Sequence, residues 1–274
     1  MSDEGAKAVR PRLVATDLDG TLLDGDGRVT VRTREVLDEL DERGVPVVFV
    51  TGRPYRWLED LWDAVGGHGL AICSNGGIVY DVATHQVARA LTIEPETALV
   101  VADRLRSGIP GTSFALENTR GYAREEGYRP RHPEALGIPI GPLEQIVDQT
   151  VVKLLALHEE IAPETYWRRV DEVVGDLVTV TWSSTFALVE ISAHGVTKAS
   201  TLERVCADLG VTAEEVVAFG DMPNDVPMLH WAGTSYAMAN AHPAARAAAT
   251  HEAPAHDLEG VATVLADLFG LTSP

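Results

Sequence analysis

The chain has 274 residues, 45% of them apolar, which is length enough for a substantial core in one large domain or two small ones. Its 22 lysines and arginines against 41 aspartates and glutamates leave a net charge of −19. So acidic a chain excludes nucleic acid and anionic membranes as partners, and any anionic ligand must be held by local groups. Cys73 and Cys206 are far apart and form neither a zinc motif nor a redox pair, so a reducing cytoplasm is the simple reading. The first seven residues lack the apolar core of a signal peptide, no apolar run is long enough to span a bilayer, and the nine histidines show no metal-ligand spacing.

Residues 13–16 are apolar or β-branched and predict a short buried strand, followed by Asp17 and Asp19 on alternate positions before Gly20 and Thr21. In open parallel sheets ligands gather beyond the carboxyl ends of the strands, so both aspartates should point into a cleft. Two carboxylates that close repel unless a cation sits between them or one keeps a proton. A calcium loop does not fit: counting from Asp17 puts Thr21 and Leu22 where an oxygen ligand and a glycine are needed, and counting from Asp24 puts Arg28 at the fifth place.

Next comes a turn at 24–27 and a helix with Val36, Leu37 and Leu40 on one face, closed by Gly44. A second strand at 46–50 stops at Thr51-Gly52-Arg53-Pro54, where Pro54 suits a helix start and the Thr51 hydroxyl with the first amides would seat a phosphate. A third strand at 70–73 ends in Ser74-Asn75-Gly76-Gly77. Three strand–helix units in a row predict a parallel sheet.

The pattern then changes to a hairpin (78–80 and 87–92), a helix at 94–107, a strand at 114–117, a Tyr- and Arg-rich loop at 120–131, a strand at 151–157, a helix at 163–174, and strands at 178–181 and 186–191. This predicts an inserted α+β unit over 84–189. The parallel pattern returns at Gly195-Val-Thr-Lys198, which opens a helix carrying Leu202, Val205 and Leu209. A lysine in a first helical turn opposes the macrodipole, so something negative should face it. Strand 216–220 ends in Asp221-Met-Pro-Asn224-Asp225, the same apolar run tipped with carboxylates as at Asp17. A short strand at 235–239, an alanine-rich helix over 241–249 and a closing helix at 258–269 complete the chain.

Taken in order, Asp17-Leu-Asp19-Gly-Thr, Thr51-Gly-Arg53, Lys198, and Gly220-Asp221 with Asn224-Asp225 resemble the four motifs of haloacid dehalogenase (HAD) phosphatases. The Ser74-Asn75-Gly76 turn, Met238-Ala-Asn240 and Glu259-Gly-Val261 are similar to the Cof-type, capped sugar-phosphate phosphatases, with Ala239 where that group usually has glycine. The resemblance implies an α/β fold: a Rossmann-like parallel-sheet HAD core of residues 1–83 and 190–274, with an α+β cap inserted at 84–189. It implies that Asp17 is the nucleophile, that Asp19 is the acid and base, and that Thr51 and Lys198 bind the transferring oxygens. Mg²⁺ would be held by the Asp17 carboxylate, the Asp19 carbonyl and Asp221. Asn224 and Asp225 would orient Lys198 and the metal shell, with Gly52, Arg53, Asn75 and Asn224 as further substrate contacts.

Each assignment has a bland rival: Thr51 as a helix cap, Arg53 as a surface charge, Asn75 as a turn residue, the 120–131 loop as solvated chain; Asn240 reads as structural. The partner implied is a small phosphorylated metabolite, with sugar phosphates the leading class, and composition is silent on oligomeric state. A receiver-type signalling protein gathers similar groups but would be about half this length. A phosphomutase built on the same four motifs stays open as the alternative.

Overall fold

The computed structural model describes residues 11–62 and 69–271. The first seven residues, read above for their lack of an apolar stretch, lie outside the described residues. The larger sheet holds β1 (Leu13–Thr16), β2 (Val47–Val50), β3 (Leu70–Cys73), β4 (Ile78–Asp81) and β5 (Gln86–Ala90). The smaller holds β6 (Ser113–Asn118), β7 (Gly121–Arg124), β8 (Val151–Leu157), β9 (Val178–Thr181) and β10 (Leu188–Ala193). The chain then returns to the larger sheet with β11 (Val216–Gly220), β12 (Thr234–Met238) and β13 (His251–Ala253). The helices are α1 (Val31–Glu42), α2 (Glu59–Trp62), α3 (Pro95–Gly108), α4 (Leu143–Ile146), α5 (Pro163–Val174), α6 (Lys198–Leu209), α7 (Val226–Trp231), α8 (Pro243–Ala248) and α9 (Gly260–Phe269).

The larger sheet runs β13-β12-β11-β1-β2-β3-β4-β5, parallel from β13 to β3 and antiparallel at β4 and β5. β1 is buried along its whole length, as a central strand of a parallel sheet must be. Its neighbours β2 and β11 come from opposite ends of the chain, and Thr16 lies level with Phe49 on one side and Phe219 on the other. The segments that follow these three strands therefore leave the sheet side by side. That register, more than any other feature, assembles the site.

α1 forms because Thr30 caps it, accepting the Thr33 N–H at 3.1 Å, while Val36, Leu37 and Leu40 bury one stripe that packs beside α9. α6 starts with a reciprocal cap between Thr197 and Ser200 and ends at Gly210 in the left-handed conformation. The smaller sheet, ordered β7-β6-β8-β10-β9, is antiparallel. Phe114, Leu116, Leu154, Ala156, Val189 and Ile191 bury one face in a core shared with α3 and α5. Period-two alternation turns Ala115, Glu117, Lys153, Leu155, Leu188 and Glu190 to the other face, toward the larger sheet.

Several expectations shift. The hairpin belongs to the larger sheet, so that sheet extends past the expected boundary at 84, and β10 carries the smaller sheet past 189 to Ala193. The 120–131 stretch is not all loop, since β7 lies in it and pairs with β6. Residues after Pro54 form a single tight turn, Tyr55–Trp57, before α2, so Thr51 and Gly52 sit in a loop and not at a helix start. β13 and the one-turn α4 have no counterpart in the sequence reading.

Candidate active site

Asp17 leaves β1 with its N–H donating to the Phe219 carbonyl at 3.0 Å, which fixes it beside the tip of β11. The residue is 5% exposed. Lys198, the first residue of α6, is 1% exposed and reaches both Asp17 Oδ1 at 2.5 Å and Asp225 Oδ1 at 2.6 Å. The negative groups expected opposite this lysine are thus these two aspartates. Asp225 spends its other oxygen on the N–H groups of Asp221 and Met222, each at 3.0 Å, so it braces the strand tip as well as the ammonium.

Asp221 accepts the Thr21 hydroxyl at 3.3 Å. Gly20 permits this approach: its φ is +73°, and a Cβ there would lie 2.4 Å from Asp221 Oδ2. Asn240 donates to the Gly20 carbonyl at 2.8 Å and accepts the His256 N–H at 3.1 Å, a brace on the same turn.

Burial raises the Asp17 carboxyl well above its ordinary range; Lys198 opposes this, and Asp225, Asp221 and Asp19 add to it. Burial, then Asp225, push Asp221 up to about 7 against the pull of Lys198. Burial works against the Lys198 ammonium, but Asp17 and Asp225 outweigh it and hold the group above the usual lysine range. Ligand oxygens of Asp17, Asp221 and Asp225 lie within 4.8 Å of one another. A donor set made only of oxygen, three buried carboxylates against one ammonium, and two carboxyls that favour their protons fit a hard divalent cation such as Mg²⁺. Since Asp225 has both oxygens engaged, Asp17 and Asp221 are the carboxylates with an oxygen to give.

Thr51 is fully buried at the end of β2, and its Oγ1 accepts the Arg53 N–H at 3.0 Å. With the oxygen so engaged, the hydroxyl proton can be donated elsewhere. Arg53 grips the Asp19 carboxylate with two hydrogen bonds, one of 2.8 Å from Nε to Oδ2 and one from Nη2 to Oδ1. Asn75 is a buried residue at φ +56°, and it is more than a turn residue. Its Nδ2 donates to Thr181 on β9 at 3.2 Å and its Oδ1 accepts from Asn224 at 3.0 Å. The Asn224 Oδ1 is buried and has no hydrogen-bond partner among the described residues.

Of the expected site residues, Asp17, Asp19, Gly52, Arg53, Asp221 and Asn224 line one cleft of about 1460 Å³ between the two sheets, while Thr51, Asn75, Lys198 and Asp225 stand behind them, hydrogen-bonded to these lining residues. In the 120–131 stretch, Arg120 pairs with Asp148 at 2.9 Å, Arg124 with Glu134 at 2.8 Å, and Arg131 with Glu159; Arg120 and Arg131 line the cleft together with Tyr122 and Tyr128.

The sequence reading missed Lys153, Glu117 and Glu190 on the inner face of the smaller sheet. Lys153 is 2% exposed and donates to Glu190 Oε1 at 2.7 Å, lies 3.2 Å from Glu117 Oε2, and donates to the Gly52 carbonyl at 2.8 Å. A signal for it was present: a lone lysine in the otherwise apolar run Val151–Leu157, a residue type almost never fully buried unless paired.

One ammonium, one hydroxyl and a cluster of carboxylates at adjacent strand tips under a second sheet define a capped α/β enzyme that handles phosphoryl groups. Comparison with known proteins makes the class specific. Residues 14–265 match the model of the haloacid dehalogenase-like hydrolase family. The phosphoglycolate phosphatase of Halorubrum lacusprofundi is 34% identical over 93% of this chain and 96% of its own length. The 5-amino-6-(5-phospho-D-ribitylamino)uracil phosphatase YitU of Bacillus subtilis is 28% identical over 96% of this chain and 99% of its own. The structure of SMU.1108c from Streptococcus mutans superposes with a TM-score of 0.84 over 95% of this chain and 99% of that one, at 23% identity. The chain belongs to the haloacid dehalogenase-like hydrolases, in their Cof-type branch, and is a phosphatase of that family.

Proposed function

We propose that the protein is a Mg²⁺-dependent phosphomonoesterase acting on small phosphorylated metabolites, sugar phosphates foremost, through an aspartyl-phosphate at Asp17. The observation that carries this reading is the buried Asp17 carboxylate, held by Lys198 beside Asp221 at a roomy cleft between the two sheets. Both curated relatives above are named as phosphatases of small phosphorylated molecules, which supports the substrate class.

Asp17 attacks phosphorus through a carboxylate oxygen, and the phosphorus–oxygen bond to the leaving alcohol breaks as Asp19 supplies the proton. Arg53 holds Asp19 at the cleft wall, so the leaving oxygen must take over one of the hydrogen bonds between them. Water then attacks the acyl phosphate, Asp19 takes its proton, and orthophosphate departs with Asp17 restored. Lys198 and the Thr51 hydroxyl share the charge on the non-bridging oxygens. Asp17, the Asp19 carbonyl and Asp221 would hold Mg²⁺, which offsets the repulsion between nucleophile and phosphate when bound.

Steady phosphate release from a panel of phosphorylated metabolites, present with Mg²⁺ and abolished by EDTA, is the expected result. Formation of an isomer without free phosphate would favour the mutase instead. A cytoplasmic site of action is proposed from Cys73 and Cys206, both buried and free; no helix among the described residues is long and apolar enough to cross a membrane.

A further inference from the structure

We propose that Lys153 is a positioning residue which, from the smaller sheet, fixes the Gly52–Arg53 peptide and through it aims the Thr51 hydroxyl. The inference rests on the reading of Thr51 as a phosphoryl-binding group and extends it to a residue of the cap.

An ammonium has three protons. Lys153 directs two toward carboxylates of its own sheet, Glu190 at 2.7 Å and Glu117 at 3.2 Å, and the third across the gap to the Gly52 carbonyl at 2.8 Å. That carbonyl and the Arg53 N–H are the two ends of one rigid peptide plane. The N–H end donates to Thr51 Oγ1 at 3.0 Å. The plane is therefore held at both ends, by the cap lysine and by the threonine whose hydroxyl proton it leaves free. The same peptide carries the backbone of Arg53, whose guanidinium grips Asp19.

The two glutamates are themselves fixed. Ser74 donates to Glu117 Oε2 at 3.1 Å and Ser183 to Glu190 Oε2 at 2.8 Å, so the trio touches both the loop after β2 and the turn after β3. Gly52 leaves room for this closeness, since a Cβ there would lie 3.2 Å from Asn75 Oδ1 and 3.7 Å from Glu190 Oε1. If the cap moved off the core, the Lys153 bond would break and the peptide would lose one of its two anchors. Phosphate seating and cap docking are coupled by this bond.

A bland role would be neutralising two buried carboxylates, and the test separates the two. Lys153→Met removes the ammonium; the triple variant Lys153→Met, Glu117→Gln, Glu190→Gln removes the same bond without stranding buried charge, and serves where the single variant fails to fold. Amide hydrogen exchange at Arg53, read without substrate, should accelerate about tenfold or more in either variant. The value of kcat/KM should fall about tenfold or more, as displaced catalytic groups do. In a Thr51→Val background, adding Lys153→Met should cost no more than about twofold further, because the two residues act in series. An unchanged Arg53 exchange rate in the folded triple variant, or losses from Lys153 and Thr51 that multiply, would overturn the proposal. The exchange arm stands even if the wild-type protein releases no phosphate, a result that would count against the phosphatase reading alone.

Discussion

Replacing Lys198 by Met removes the ammonium shared by Asp17 and Asp225, and the structure sets the size of the effect. Asp17 and Asp225, 5% and 0% exposed, would face each other beside Asp221 with no cation between them. Breaking a buried ion pair from one side costs about 3–5 kcal/mol, because the stranded charge must be neutralised or rehydrated. Part of that cost is avoidable here, since Asp17 and Asp221 already favour their protons, so the lower end of about 3 kcal/mol is expected. Urea unfolding in EDTA should show this loss. Mg²⁺ at a hundred times its dissociation constant should restore up to about 2.7 kcal/mol by supplying the missing positive charge. Turnover should fall about 10²–10³-fold, the size seen when a single oxyanion donor is removed, and Mg²⁺ should not restore it. Undiminished stability in EDTA together with near-normal turnover would refute the reasoning.

Asp17 and Asp221 both titrate higher in the folded protein than in an unfolded chain, so the stability they contribute is full below the ordinary carboxylate range and is lost as pH rises through about 7 for Asp221. In EDTA the urea midpoint should therefore fall steadily from about pH 5 to about pH 7 on account of Asp221, and saturating Mg²⁺ should flatten the trend. The lowered Glu190 carboxyl acts in the opposite sense but only at more acid pH, so it leaves that window untouched. Arg53→Ala frees the Asp19 carboxylate: kcat/KM should fall about tenfold, while the thermal midpoint moves little, because a half-exposed pair is worth at most about 1 kcal/mol. Gly20→Ala should cost about 1–3 kcal/mol and most of the Mg²⁺ affinity by calorimetry, since its Cβ would strike Asp221 from a strained backbone.

The phosphoryl-handling residues were legible because their chemistry demands unusual residue types in short runs at strand ends. Asp17, Thr51 and Asp221 each follow an apolar strand directly, and strand register then makes them neighbours without further instruction. The Lys153 trio was hidden for the opposite reason. Each member is a single charge inside a hydrophobic strand, and only the cross-strand pairing of β6, β8 and β10 reveals that they meet. The Arg53–Asp19 clasp joins two motifs that the sequence presents as separate. The boundary at 84 slipped because β5 is a mostly exposed edge strand whose Arg89 faces Asp208 at 3.0 Å, which leaves no apolar alternation to tie it to the core. The three residues of β13 and the single turn of α4 are too short for any periodicity to register.

The central claim is that Asp17 carries the phosphoryl group between the two half-reactions. Acid quenching of the enzyme during turnover with Mg²⁺ and a good substrate, followed by peptide mass spectrometry, tests it directly. The account predicts phosphate on the peptide containing Asp17, and none in the Asp17→Asn variant under the same conditions. Phosphate on a different residue, or undiminished phosphate release by Asp17→Asn, would contradict it.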